Sequence, residues 1–321
     1  MFVNGMAKNY DIDLILSQDE IKNAYDLNYK ISNDWEIPPW ELFIFKDRML
    51  GEGSFSKVYL AKWREAFVVA KVINNEMLSV KKDIVLREID IMSKLHHPNI
   101  VQFLGFVYDP FIIVMEYLPY GDLASNNSLT KTQKINIMKD ILKGLSYIHN
   151  RQPNNLIHRD IKPSNILLTT SKLAKISDFG LSKFYSSNPN PNPNPNPNPN
   201  PNPNPNPNPN PNPNPNIKDI VIKTDLKPET EKDNTITVGT ERYMAPEVKT
   251  TSTYNNKIDI YSCGILFYEL FERKKYYPNL PMKWYYTPKV IQTMITTQML
   301  CEDPVNRSDA LSIIKKLSNY I

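Results

Sequence analysis

Asp160, Lys162 and Asn165 stand within six residues of one another in the run Leu156-Ile157-His158-Arg159-Asp160-Ile161-Lys162-Pro163-Ser164-Asn165, and Asp178-Phe179-Gly180 begins eighteen residues after Asp160. These side chains are the ones that moving a phosphoryl group requires. A carboxylate can orient a hydroxyl and accept its proton, a lysine can neutralise phosphate charge, and an Asn and an Asp can supply hard oxygen ligands to magnesium. Each has a plainer reading, Asp160 as a helix cap and Asp178 as a turn residue. Their joint occurrence at this spacing, on loops flanked by apolar strand-like runs, favours the chemical one.

A second constellation precedes the first. Leu50-Gly51-Glu52-Gly53-Ser54-Phe55-Ser56-Lys57-Val58 lies between two strand-like runs, where glycines let a hairpin backbone come close to a phosphate. Such a tip is by default only a turn. Lys71, thirteen residues past Val58 at the end of an apolar run, changes the balance, because a lysine within a strand is costly to bury unless paired. Glu88, on a predicted helix, is the carboxylate that would pair with it.

These residues need elements to hold them. Phe43 to Leu50, Lys57 to Trp63, Phe67 to Ile73, Val101 to Tyr108 and Phe111 to Tyr117 read as strands, and Val80 to Leu95 as one helix that ends before His97-Pro98. Helical spacing takes over from Thr130, through Ile135 to Ile148, and returns in Ile258 to Phe271 and Val290 to Leu300. The expected architecture is α+β in two lobes, a small β-rich lobe with one main helix (42–118) and a larger, mostly α lobe (119–318), each with its own core. Residues 1–41 read as an extension that either packs on the domain or stays apart from it.

Asn188 to Asn216 is an uninterrupted Asn-Pro alternation of 29 residues. Each proline lacks an N–H and drives the preceding Asn out of the α region, so neither helix nor central strand fits. At ~3.1 Å per residue the tract could reach about 90 Å, and such an insertion must loop out of the fold. A tolerated low-complexity insertion is the bland reading, and a docking or regulatory role the alternative.

The motifs occur in an order that resembles the eukaryotic protein kinase family over about residues 42–318. Residue by residue, the resemblance makes Leu50, Gly51, Glu52, Gly53, Ser54, Phe55, Ser56 and Val58 the glycine-rich loop and adenine roof, Lys71 the phosphate lysine and Glu88 its helix partner. Val69, Met115, Glu116, Leu118 and Leu167 would complete the ATP slot, with Met115 as gatekeeper. Asp160 and Lys162 match the catalytic loop, and Asn165 and Asp178 the ligands of Mg²⁺, with Mn²⁺ as an alternative. Gly239-Thr240-Glu241-Arg242-Tyr243-Met244-Ala245-Pro246-Glu247 resembles the end of an activation segment, and Asp259 and Arg307 match structural anchors, Arg307 pairing with Glu247. Lys162 two residues after Asp160 points to Ser/Thr rather than Tyr substrates, and Trp35-Glu36-Ile37-Pro38 and Gly121-Asp122-Leu123 point to the tyrosine-kinase-like group. Arg159 implies regulation by a phosphate, placed by an upstream kinase or by autophosphorylation, with Thr235 and Thr237 as candidates.

Departures from the family pattern bear on activity. Val69 replaces the usual alanine and narrows the adenine slot, Ser56 replaces the third glycine, and Ser308 follows Arg307 where proline is usual. Only 48 residues separate Asp259 from Arg307, so the region Lys274 to Pro288 reads as abbreviated. The alternatives to an active Ser/Thr kinase are a catalytically weak scaffold and a dual-specificity kinase. A net charge of +4 from 38 basic and 34 acidic residues, without a basic block, gives no case for nucleic acid or a membrane surface. Two cysteines, Cys263 and Cys301, both read as core thiols, fit a reducing compartment, and the expected location is cytoplasmic.

Overall fold

The computed structural model of the chain describes residues 33–53, 56–126, 128–152, 155–185, 241–250 and 254–320. Residues 1–32, the loop residues Ser54 and Phe55, the Asn-Pro tract, Thr235, Thr237, Gly239 and Thr240 lie outside them.

The β-branched and aromatic runs form one antiparallel sheet of β1 (Leu42–Glu52), β2 (Ser56–Trp63), β3 (Ala66–Ile73), β4 (Phe103–Val107) and β5 (Ile112–Glu116), in the order β1-β2-β3-β5-β4. Strand alternation gives the sheet two different faces. Val68 and Ala70 of β3 bury one face together with Ala61, Ile112, Val114 and Ile37. Ile73 and Ile113 point the other way, toward Val85, Ile89 and Met92 of α1 (Asn75–Ser93). That helix starts at Asn75, five residues before the expected Val80. Residues 33–41 pack on the lobe: the N–H of Ile37 donates to the Phe106 carbonyl at 2.7 Å, and the Trp35 ring lies 5.4 Å from that of Phe103.

The second lobe is built on α2 (Lys131–His149), opened by a capping box in which Thr130 Oγ1 accepts from the Gln133 N–H and Gln133 Oε1 accepts from the Thr130 N–H. Two short antiparallel ribbons follow, β6 (Asn155–Ile157) with β9 (Lys183–Tyr185) and β7 (Ile166–Leu168) with β8 (Ala174–Ile176). Then come α3 (Pro246–Thr250), α4 (Lys257–Glu272), α5 (Lys289–Met294), which runs on as a π turn over Ile295–Met299, and α6 (Ala310–Ser318).

The separate lobe cores expected from sequence hold only in part: a second cluster, on the far face of the sheet, stays within the small lobe, but the main core cluster is shared by both lobes. It runs from Ile73, Val85 and Ile113 through Leu95, Ile100, Ile176 and Phe179 to α2, α4 and α6. The connection is hydrogen-bonded as well as packed, since the Val101 N–H donates to the Ile176 carbonyl and the Ile176 N–H to the Asn99 carbonyl, each at 2.9 Å. Cys263 is buried, but Cys301 is partly exposed, its thiol facing the Thr297 carbonyl at 3.1 Å, so only one of the two is a core thiol. Residues 273–288 contain neither helix nor strand. They are pinned by Glu272, whose carboxylate accepts from the backbone N–H groups of Tyr285, Tyr286 and Thr287. Among the described residues, no helix is long and apolar enough to cross a membrane.

Candidate active site

Strand register brings half the site together. Gly51 pairs with Val58, Val58 with Lys71, and Val69 with Met115, so all five residues share one face of the sheet. A Cβ built on Gly51 would meet nothing within 4 Å. Among the described residues no packing asks for glycine there, and the open space beside it suits a ligand that approaches the backbone closely. Val58, Val69, Met115 and Leu167 are all only part-buried, leaving apolar surface that a planar base could cover, whereas Leu118 is buried.

Two of the expected nucleotide contacts are committed elsewhere. Glu52 pairs with Lys57 at 3.4 Å on an exposed edge. Glu116 holds Lys175 Nζ at 2.6 Å and accepts the Gln102 N–H at 2.7 Å, so its carboxylate fastens the crossing between lobes and leaves only its backbone for a ligand.

On the cleft side of the sheet, Lys71 Nζ lies 2.7 Å from Glu88 Oε1 and 3.6 Å from Asp178 Oδ1. Burial works against the Lys71 ammonium, but Glu88 and Asp178 outweigh it and push its pKa up, so the lysine stays charged. Burial raises Glu88. Burial also opposes the charge on Asp178, yet Lys71, His158, the Gly180 N–H and Lys162 together hold its pKa below the usual carboxylate range. Asp178 sits at φ 63°, half-exposed, while Phe179 beside it is buried against the His158 ring with centroids 4.9 Å apart. A Cβ on Gly180 would come into contact, at 3.4 Å, with both Asp178 Oδ1 and Glu88 Oε2.

The catalytic-loop candidates converge from the other lobe. Lys162 Nζ donates to Asp160 Oδ2 at 2.6 Å, and the Asn165 amide nitrogen donates to the same oxygen and to the Asp160 carbonyl, each at 2.8 Å. With its nitrogen so used, Asn165 has its amide oxygen left to offer a cation. Beneath the loop, Asp259 of α4 accepts the N–H groups of His158 at 2.8 Å and Arg159 at 2.9 Å, and His149 Nε2 at 2.8 Å. These contacts hold Asp259 low against its burial. Arg159 is at φ 73° with its guanidinium 5.6 Å from the Tyr254 ring.

Among the described residues no group of three or more His, Cys, Asp or Glu could cage a metal. A two-ligand set of Asp178 and Asn165 suits Mg²⁺, which keeps several waters and takes its remaining oxygens from phosphates. Sequence reasoning missed Lys175, Gln102 and His149. Lys175 and Glu116 are 59 residues apart on short strands, and nothing local to either announces the other.

A family model described as "Protein kinase domain" matches residues 45–196 and 213–320. The chain is similar to the serine/threonine-protein kinase VIK of Arabidopsis thaliana, with 35% identity over 259 residues, 77% of this chain and 50% of that protein. It is also similar to two other proteins of that organism. Serine/threonine-protein kinase 12 is 30% identical over 90% of this chain and 58% of its own length, and serine/threonine-protein kinase CTR1 is 30% identical over 77% and 26%. The chain thus spans no more than 58% of the length of these three relatives.

Proposed function

The chain belongs to the protein kinase family, and from that premise we propose that it transfers the γ-phosphate of ATP to Ser and Thr hydroxyls of protein substrates. The observation that carries the reading is the meeting of Lys71 with both Glu88 and Asp178 across the cleft from the hydrogen-bonded trio Asp160, Lys162 and Asn165.

In this reading MgATP, or its Mn²⁺ counterpart, supplies an electrophilic phosphorus whose negative charge is partly neutralised. Lys71, fixed by Glu88, holds the α- and β-phosphates, and Asp178 and Asn165 hold the metal. Asp160 orients the substrate hydroxyl and accepts its proton, and Lys162 steadies charge on the transferred group. Gly51 and Gly53 let the β1–β2 tip close on the phosphates, with Val58, Val69, Met115 and Leu167 against the base. Lys162, two residues after Asp160, and the names of the three relatives support Ser/Thr as acceptor. Arg159 is the group to which an activating phosphate would bind, placed by an upstream kinase or by the chain itself. Free cysteines support a cytoplasmic setting. A scaffold reading draws no support from a cleft in which Lys71, Asp160, Asn165 and Asp178 all stand at hydrogen-bonding or ion-pair positions.

The test is transfer of labelled phosphate from MgATP to the protein itself and to a generic protein substrate, followed by phosphoamino-acid analysis. Phosphoserine or phosphothreonine that disappears in Asp178→Asn is the expected result. Phosphotyrosine would move the reading to dual specificity, and no transfer together with no thermal shift on adding MgATP would overturn it.

A further inference from the structure

A cavity of about 530 Å³ opens beside the catalytic loop, with Lys162, Pro163 and Ser164 on one wall and the C-terminal end of α4 on the other. Its charge is one-sided. Six of its fifteen lining residues are cationic, namely Lys134, Lys162, Arg242, Arg273, Lys274 and Lys275, against one carboxylate, Glu269. That carboxylate is already used, since it faces Arg242 at 3.6 Å and accepts the Tyr276 N–H at 2.7 Å and the Tyr243 hydroxyl at 2.5 Å.

Lys162 and Arg242 are paired, but four of the cations are not. Among the described residues Lys134, Arg273, Lys274 and Lys275 make no ion pair, while Lys134 is only 7% exposed and donates to the Phe271 carbonyl at 3.3 Å. Burial first, and then the Arg273 guanidinium, pull Lys134 below its ordinary pKa, against an opposing pull from the Glu272 carboxylate. Arg273 also ends α4 at φ 54°, a left-handed position where glycine or asparagine is the easier residue.

We infer that this cavity binds an anionic side chain of the substrate, so that the chain selects peptides with acidic or phosphorylated residues near the acceptor hydroxyl. The inference rests on the kinase reading, which puts the acceptor at Asp160, paired with the Lys162 that lines the cavity. An extended peptide advances ~3.3 Å per residue, so side chains within about three residues of the acceptor reach it. Arg and Lys recognise carboxylate and phosphate alike, and a like-charged peptide is repelled.

Two measurements test it. One is kcat/KM for Ser- and Thr-centred degenerate peptides bearing a fixed Glu, phosphoserine, Ala or Lys at each nearby position. The other is anisotropy of a fluorescein-labelled Glu-bearing peptide binding to the protein without nucleotide. Glu and phosphoserine peptides are expected at least tenfold above Lys peptides, through KM, with the preference shrinking as salt rises. Phosphoserine well above Glu identifies phosphate as the source, and equality identifies carboxylate. The double variant Lys274→Glu/Lys275→Glu and the single variant Arg273→Glu change exposed side chains, and thermal melting checks their fold. Each is expected to cut acidic-peptide binding at least tenfold. A charge-blind peptide ranking, or a preference that survives both variants, overturns the inference. If no peptide is phosphorylated, the labelled-phosphate assay decides the kinase reading, and the anisotropy arm by itself decides for or against the anionic cavity.

Discussion

Arg307 and Glu247, sixty residues apart, meet as a two-pronged ion pair, with Nη1 to Oε1 at 2.5 Å and Nη2 to Oε2 at 2.8 Å and the arginine side chain fully buried. The guanidinium also donates to the carbonyls of Cys301, Lys257 and Glu302. It ties α3, the start of α4 and the turn before α6 into one unit. Removing one partner strands a desolvated charge, so Arg307→Ala should cost about 3–5 kcal/mol. Arg307→Lys should recover little, because an ammonium cannot span both carboxylate oxygens. Urea denaturation of the three proteins checks this, and a loss below 1 kcal/mol would show that the pair contributes little.

Asp259 is expected to contribute to the acid limb of stability. Its folded pKa is depressed below the unfolded value of ~3.9, so it stabilises the fold above that pH and loses its contribution as pH falls through the folded value. Stability should therefore decline as pH falls below about 5 and should do so less steeply in Asp259→Asn, which does not titrate. Denaturant midpoints from pH 2 to 7 decide it, and parallel curves would assign the acid limb to other carboxylates.

Gly144 lies in the middle of α2, where alanine would raise helix propensity by about 1 kcal/mol. An added Cβ would lie 2.8 Å from the Asn99 carbonyl oxygen and 2.9 Å from Ile176 Cδ1, and backbone cannot yield as a side-chain tip does. Overpacking of about 1–3 kcal/mol should win, so Gly144→Ala is expected to lower the melting temperature. A rise would mean that the segment from Asn99 to Val101 shifts freely.

Val69 pairs with Met115 on the cleft face and remains part-buried. If its two methyl groups crowd the base, Val69→Ala should lower the KM for ATP by on the order of tenfold with little change in kcat. Steady-state kinetics at varied ATP would settle it, an unchanged or higher KM meaning that valine contacts the base without narrowing the slot.

The strands were legible because each is a short β-branched or aromatic run bounded by turn residues. The predicted edges of β2, β3 and β5 fall within one residue of those observed. The helix after Lys71 was legible in its existence but not its start, which the structure sets at Asn75. The site residues were legible because phosphoryl-transfer chemistry admits few side-chain types, and Lys71 to Glu88 and Arg307 to Glu247 meet as expected. That the Glu116 carboxylate is claimed by Lys175 was not legible, because a hinge position says nothing of partners 59 residues away.

By itself the order of residues determined the element types, the chemical groups and their family, all of which depend on local pattern and on which side chains can do a given chemistry. Only the tertiary structure decided what depends on neighbours distant in the chain. It joined the two lobes through a shared core cluster that includes Phe179, folded residues 33–41 onto the sheet and used Glu272 to pin the helix-less stretch before α5. It also gathered Lys134, Arg242, Arg273, Lys274 and Lys275 around one cavity beside Lys162. Spread over 142 positions of a chain with net charge +4, those cations carry no signal in sequence. Their field exists only where folding brings them within a Debye length of one another.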